Sequence, residues 1–263
     1  MKKKTTAVII SNEEISPGIY SMRMKTELAG EVIPGQFIGV YTKDRSKLLP
    51  RPISICECDK KAGELRLVYR VAGEGTDAIS GMKKDEGIDI LGILGNGYDL
   101  STSDNKKNVT LMAGGIGIPP MLELAKALSE RHKPEQKISA VIGYRNNSLF
   151  LDKELEKYAD IYVATDDGSV GYGGNVIGAL EHYKLYPDII YACGPMPMLR
   201  GIKAYCERSD IPGYISLEER MACGVGACLG CVCKTVRTDG HSHVKNARIC
   251  TDGPVFSVTE VNI

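Results

Sequence analysis

The chain has 263 residues, 33 basic against 33 acidic side chains, and no net formal charge. This balance, with no long basic run, excludes a protein that tracks nucleic-acid phosphates. No apolar stretch approaches the roughly 18 residues that cross a bilayer.

The opening MKKK has the charge of a signal-peptide start, but the apolar run behind it, AVII, is too short for an h-region. The expectation is a cytoplasmic protein. In a reducing compartment, nine cysteines, five of them between Cys206 and Cys233, bind metal or carry redox chemistry rather than forming disulfides.

Residues 1–100 read as β structure. GQFIGVYT, PISICECD, GELRLVYRV and GIDILGIL are short runs rich in β-branched residues, and Lys60-Lys61-Ala62-Gly63 is a hairpin connection. Many short strands joined by turns predict a small antiparallel barrel. Two places on it have phosphate chemistry. In LLPRPISI, Pro52 biases Arg51 toward extended backbone, which projects a guanidinium able to pair with a pyrophosphate. In LVYRVAGEGTDAIS, Gly73, Gly75 and Thr76 precede a short helix that Thr76 would cap, its free N–H groups holding another phosphate. Each also reads as an ordinary turn.

Residues 101–215 have a different texture. STSDNKKN (101–108) is polar and reads as a linker. VTLMA, ISAVIG, IYVAT and IIYA then alternate with helical segments, which predicts a parallel sheet flanked by helices. Met121, Leu122, Ala125 and Leu128 share one face of a helix opened by Pro119 and Pro120. A last helix runs over about 196–209. Gly114, Gly115 and Gly117 lie between a strand and that proline-opened helix, a phosphate-site arrangement. The motif is not GxGxxG, and tight packing alone would also require glycine there. Cys193, Gly194 and Pro195 end a second strand and would face the same crevice. Cys193 by itself reads as a small buried residue.

From Ser216 the chain is cysteine-rich and aperiodic, and too short to bury much apolar surface of its own. Cys223, Cys228 and Cys231 have the spacing C-x4-C-x2-C, with Cys250 further on. This is the plant-ferredoxin spacing for a [2Fe–2S] cluster held by four thiolates. Gly224, Gly226 and Gly230 let backbone N–H groups approach the sulfurs. A structural zinc site is the alternative, but the second CxxC pair of a zinc ribbon is missing. Cys233 is spare. His132, His182, His241 and His243 have no ligand company, and His241 and His243 read as solvated loop residues.

RPIS, GEGT, AGGIGIPPM and ACGPMPML occur in the order seen in the ferredoxin–NADP reductase superfamily, and the resemblance covers nearly the whole chain. CGVGACLGCVC narrows it. The chain closely resembles the electron-transfer subunits of the NAD-linked, two-subunit bacterial dihydroorotate dehydrogenases. The resemblance implies an FAD-binding antiparallel β-barrel (1–100), an α/β parallel-sheet NAD-binding domain (101–215) and a small plant-ferredoxin-like [2Fe–2S] domain (216–263).

It also implies residue roles. Arg51, Pro52, Ile53 and Ser54 hold FAD, with Arg51 on the phosphates and Ser54 near the ring. Val68, Tyr69 and Arg70 line the flavin, and Gly75 and Thr76 bind its phosphates. Gly114, Gly115 and Gly117 face the NAD pyrophosphate, Cys193, Gly194 and Pro195 border the nicotinamide, and Cys223, Cys228, Cys231 and Cys250 hold the cluster. The implied partner is an FMN-containing catalytic subunit, two of each chain forming a heterotetramer that serves pyrimidine biosynthesis. The alternative is a subunit of another NAD(P)H-dependent reductase, such as a ferredoxin:NADP oxidoreductase or a hydrogenase complex. One departure is that many superfamily members end with an aromatic residue on the flavin, whereas this chain continues into the cysteine-rich zone and ends Val261-Asn262-Ile263. For the choice of nicotinamide, Arg145 would suit a 2′-phosphate and Asp166-Asp167 would oppose it; the resemblance favours NAD.

Overall fold

The computed structural model describes residues 2–44, 46–131, 133–238 and 243–263; His132 and His241 lie outside them. Six strands form the first unit: β1 (Lys3–Ser16), β2 (Ile19–Lys25), β3 (Phe37–Val40), β4 (Arg51–Asp59), β5 (Glu64–Arg70) and β6 (Gly87–Leu94). They close an antiparallel barrel in the order β1-β2-β5-β4-β3-β6, with β6 pairing back onto β1. Closure leaves no free sheet edge. Period-two burial drives it. In β6, Ile88, Ile90 and Leu94 are buried while Asp89, Leu91 and Ile93 between them keep some exposure. Gly63, with a φ of +70°, turns the expected hairpin between β4 and β5. A short helix, α1 (Glu74–Ser80), follows β5.

The second unit is a parallel sheet. Its strands are β7 (Asn108–Gly114), β8 (Lys137–Tyr144), β9 (Asp160–Thr165), β10 (Tyr172–Gly173), β11 (Ile189–Cys193) and β12 (Gly213–Ser216). Helices α2 (Pro119–Glu130), α3 (Asp152–Leu155), α4 (Val176–His182) and α5 (Met196–Ser209) connect them. The order β10-β9-β8-β7-β11-β12 puts the reversal of direction between β7 and β11, and in open α/β sheets ligands bind at that point.

The face predicted for α2 is buried, but so are Glu123 and Leu124. The helix is sandwiched between the sheet and barrel strand β4, so two of its faces are covered. Each of its buried leucines contributes about 1.5–3 kcal/mol. The polar stretch 101–108 is not a free linker. It begins in a 3-10 turn whose Ser103 is buried and accepts through its carbonyl from Gln136 Nε2 at 2.9 Å.

The cysteine-rich segment contributes three short strands, β13 (Val232–Lys234), β14 (Asn246–Arg248) and β15 (Val255–Ser257). It was expected to lack a core of its own, and it is held by sharing one. Ile249, Phe256, Val258 and Val261 are buried in a cluster with Phe37 and Leu94 of the barrel and Leu199 and Ile202 of α5. Strand β15 pairs antiparallel with β12 and completes the sheet at its edge. No described helix is long and apolar enough to cross a membrane.

Candidate functional site

The crevice between the carboxyl ends of β7 and β11 is built from glycine. The three glycines after β7 differ in role. Gly115 has a φ of +53°, and a Cβ there would meet only Arg70 Nη2, at 3.4 Å, so it opens toward the barrel. A Cβ on Gly114 would strike Met198 Sδ at 2.8 Å. One on Gly117 would lie 2.3 Å from the Cys193 carbonyl oxygen and 2.6 Å from Gly194 N. Gly117 is therefore glycine because two backbones touch there, and Gly115 alone of the three offers open space to a ligand. On the opposite wall, a Cβ on Gly194 would meet Met198 Cε at 2.5 Å. Pro195 is exposed and precedes the first turn of α5.

Cys193 is fully buried, and desolvation pushes its thiol well above the usual range, with Glu218 adding to the rise. Glu218 itself was not singled out from the sequence. It lies two residues beyond Ser216, the residue paired with Cys193 across β12 and β11. It keeps solvent access, yet desolvation raises its carboxyl, with Arg70 opposing. Arg70, Gly115, Cys193 and Glu218 thus converge from four elements. Only the sheet order identifies Glu218, because nothing in SLEER marks one glutamate over the other. Met198, which fills the crevice floor between the two glycine turns, was likewise missed.

On the barrel, Arg51 lies over the start of α1. A Cβ on Gly75 would fall 1.8 Å from Arg51 Nε. The guanidinium donates to the carbonyls of Leu49 (2.5 Å) and Lys47 (3.3 Å), and among the described residues no carboxylate pairs with it. A cation held at a glycine cradle without an acidic partner fits a pyrophosphate. Thr76 stands at the third position of α1 rather than ahead of it. Its Oγ1 accepts from Ala72 N (2.9 Å) and Gly73 N (3.3 Å), folding the loop back on the helix. Pro52 is exposed, Ser54 half-buried and Ile53 buried in the barrel core. Val68 packs on the side facing α2, and Arg70, two residues on, shares that side. Tyr69 points the other way. It is buried in the barrel core, stacked on Tyr20, and donates to Asn12 Oδ1 at 3.0 Å.

The four cysteines come together as two pairs. Cys223 and Cys228 interact through their thiols, as do Cys231 and Cys250. Gly224 (φ +68°), Gly226 (φ +84°) and, unusually, Leu229 (φ +55°) bend the loop. The N–H groups of Val225 and Cys228 donate to Cys223 Sγ at 3.5 and 3.4 Å, and that of Gly230 to Cys228 Sγ at 3.4 Å. Burial alone would raise the Cys223 thiol; the N–H groups of Val225, Cys228 and Ala227 and the Cys228 thiol bring it down to about 6. Burial, then the adjacent Cys231 thiol, push Cys250 up to about 11. Two thiol pairs ringed by N–H donors fit a binuclear cluster that takes two thiolates per iron. Cys233 is half-buried in β13, outside both pairs, and burial raises it to about 11.

Comparisons with known proteins agree with this layout. Residues 218–262 match the family model described as the iron-sulfur cluster binding domain of dihydroorotate dehydrogenase B. Residues 111–204 match the oxidoreductase NAD-binding domain. The chain is 39% identical over 259 residues to the dihydroorotate dehydrogenase B (NAD(+)) electron transfer subunit of Streptococcus mutans, covering 98% of each. It is 40% identical over 254 residues to that of Streptococcus thermophilus, covering 96% of each. Among solved structures, an NADH-dependent reduced ferredoxin-NADP oxidoreductase superposes with a TM-score of 0.85 at 26% identity, over 97% of this chain and 89% of that one. The ferredoxin NADP+ reductase of Neisseria gonorrhoeae shares the fold, with a TM-score of 0.65 at 16% identity over 83% and 95%. The chain is an oxidoreductase component and belongs to the family of dihydroorotate dehydrogenase B (NAD(+)) electron transfer subunits.

Proposed function

We propose that this protein passes electrons from dihydroorotate, oxidised at the FMN of a separate catalytic subunit, through a [2Fe–2S] cluster and FAD to NAD⁺ in pyrimidine biosynthesis. When bound, FAD would supply the exchange between a two-electron hydride of the nicotinamide and the single electrons that a [2Fe–2S] cluster carries. The chain's own residues bind and orient these groups. Residues 1–100 hold FAD: Arg51 and the Gly75–Thr76 turn take its phosphates, Pro52, Ile53 and Ser54 carry the strand beside it, and Val68, Tyr69 and Arg70 form the wall, Tyr69 by its backbone. Residues 101–215 hold NAD: Gly115 admits the pyrophosphate, Gly114 and Gly117 keep the turn close to β11, and Cys193, Gly194 and Pro195 border the nicotinamide. Residues 216–263 hold the cluster through Cys223 with Cys228 and Cys231 with Cys250, while β15 ties the segment to the sheet.

The observation that carries this reading is the pairing of the four thiols in a loop that packs on the barrel, with Gly224 against Leu94. The exposed Val225 (40%), Leu229 (62%) and Val232 (39%) around the loop support docking of the catalytic subunit there. We take the assembly as two copies of each chain in the cytoplasm.

Cys228→Ser tests the reading. In the complex purified anaerobically, the variant should keep FAD and NADH oxidation by artificial flavin acceptors while losing dihydroorotate-to-NAD⁺ turnover. Unimpaired turnover would refute the relay. Wild-type protein that is colourless and contains zinc would refute the cluster.

A further inference from the structure

The seam between the barrel and the parallel sheet holds a set of charges that the proposed chemistry does not use. Arg66 of β5 is buried, with 6% of its surface exposed. Its Nη1 and Nη2 donate to both carboxylate oxygens of Glu154 in α3, at 2.5 and 3.0 Å. Its Nε donates to Ser21 Oγ at 2.9 Å, and Glu57 of β4 lies 3.7 Å from Nη1. Beside it, Glu123 of α2, also 6% exposed, accepts from Cys58 N at 2.9 Å and Cys58 Sγ at 3.1 Å in β4. Lys126 Nζ donates to the Cys58 carbonyl at 3.1 Å.

Burying charge is costly unless it is paired, and apolar packing of the same volume stabilises at least as well. Apolar packing, however, is non-directional. A guanidinium fork on a carboxylate fixes both distance and angle. Three of the elements joined here, β5, β4 and α2, also end at the crevice, and α3 packs on α2. Strand β5 continues from Arg66 to Val68 and Arg70, strand β4 begins at Arg51, and α2 begins just after the Gly114–Gly117 turn.

We propose that Arg66 is a positioning residue: through its fork on Glu154 of α3, which packs on α2, and with the Glu123–Cys58 contact that joins α2 to β4, it fixes the flavin-binding strands against the helix that opens the nicotinamide crevice, and so sets the alignment for hydride transfer. The inference rests on the assignment of FAD to the barrel and NAD to the sheet.

Glu154→Gln removes the charge and one fork acceptor at a partly exposed position. In the full chain loaded with FAD and cluster, anaerobic stopped-flow mixing with NADH reads flavin bleaching. The limiting rate should fall about tenfold or more, since misplacement by an ångström costs up to about 100-fold. Half-saturation by NADH should stay within about twofold, because the fork touches neither cofactor, and FAD content should be unchanged. Glu154→Asp should recover part of the rate. A wild-type limiting rate in Glu154→Gln, even with a lowered melting temperature, would reduce the clamp to a structural contact and overturn the proposal. Should that variant fail to fold, Arg66→Lys, which keeps the charge but loses the fork, is read by the same criterion. Failure of NADH to bleach the wild-type flavin would instead overturn the cofactor assignment itself.

Discussion

Gly117→Ala is the sharpest test of how the crevice is built. The added methyl would sit 2.3 Å from the Cys193 carbonyl oxygen, 2.5 Å from its carbon and 2.6 Å from Gly194 N. All three are backbone atoms, so no side chain can rotate away. Relief requires the start of α2 and the end of β11 to separate by about 1 Å, and overpacking of this kind costs about 1–3 kcal/mol. At roughly 2–4 °C per kcal/mol for a chain of this size, the melting temperature should fall by several degrees and by up to about 10 °C. The same displacement widens the crevice, so NADH-driven flavin reduction should slow by about 10–100-fold. Differential scanning calorimetry and anaerobic stopped-flow read the two effects. A melting temperature within a degree of wild type, with an unchanged reduction rate, would refute the close-contact role of Gly117 and return it to the pyrophosphate.

The other predictions concern the barrel and the seam. In Gly75→Ala the atoms nearest the new methyl belong to the Arg51 guanidinium, a side chain that can turn aside, so the fold should survive while FAD binding weakens by about 10–100-fold, the value of one charge-assisted hydrogen bond. Fluorescence titration of apoprotein with FAD measures this, and unchanged affinity would remove Arg51 from the phosphate site. The hydrogen bond from Arg66 holds the Glu154 carboxyl below the ordinary glutamate range, with burial opposing. A depressed carboxyl stabilises the fold fully above the unfolded value of about 4.3, and the contribution is lost as pH falls through the folded value. The melting-temperature gap between wild type and Glu154→Gln should therefore be widest near neutral pH and narrow as pH falls below about 4.3, closing only once the folded carboxyl is protonated. A gap independent of pH would mean that the Glu154 charge contributes nothing.

What the sequence by itself determined is local. Apolar alternation in GIDILGIL and β-branched runs such as GELRLVYRV are period-two signals, and they became β6 and β5 because side chains on a strand alternate faces. The prolines at 119 and 120 and the last helix at 196–209 were legible because helix ends carry their own chemistry. The C-x4-C-x2-C spacing marked the candidate cluster loop, since thiols so close in the chain stay near one another in a compact loop, as Cys223 and Cys228 do.

Tertiary structure decided whatever depends on residues far apart in sequence. Cys250 pairs with Cys231 only because Ile249 N bonds to the Cys231 carbonyl across the segment, at 2.9 Å. Glu218 reaches Arg70 and Cys193 only because β12 lies beside β11. Glu123 reads as an exposed helix position by periodicity, and it is buried because the barrel covers the face of α2 that the sheet leaves open. Gly117 resembles a phosphate-binding glycine in sequence, and in the fold it is also a point of close backbone contact with Cys193 and Gly194. A sequence pattern reports which face of an element is apolar, but not what comes to lie against it, and that contact sets burial, pairing and charge.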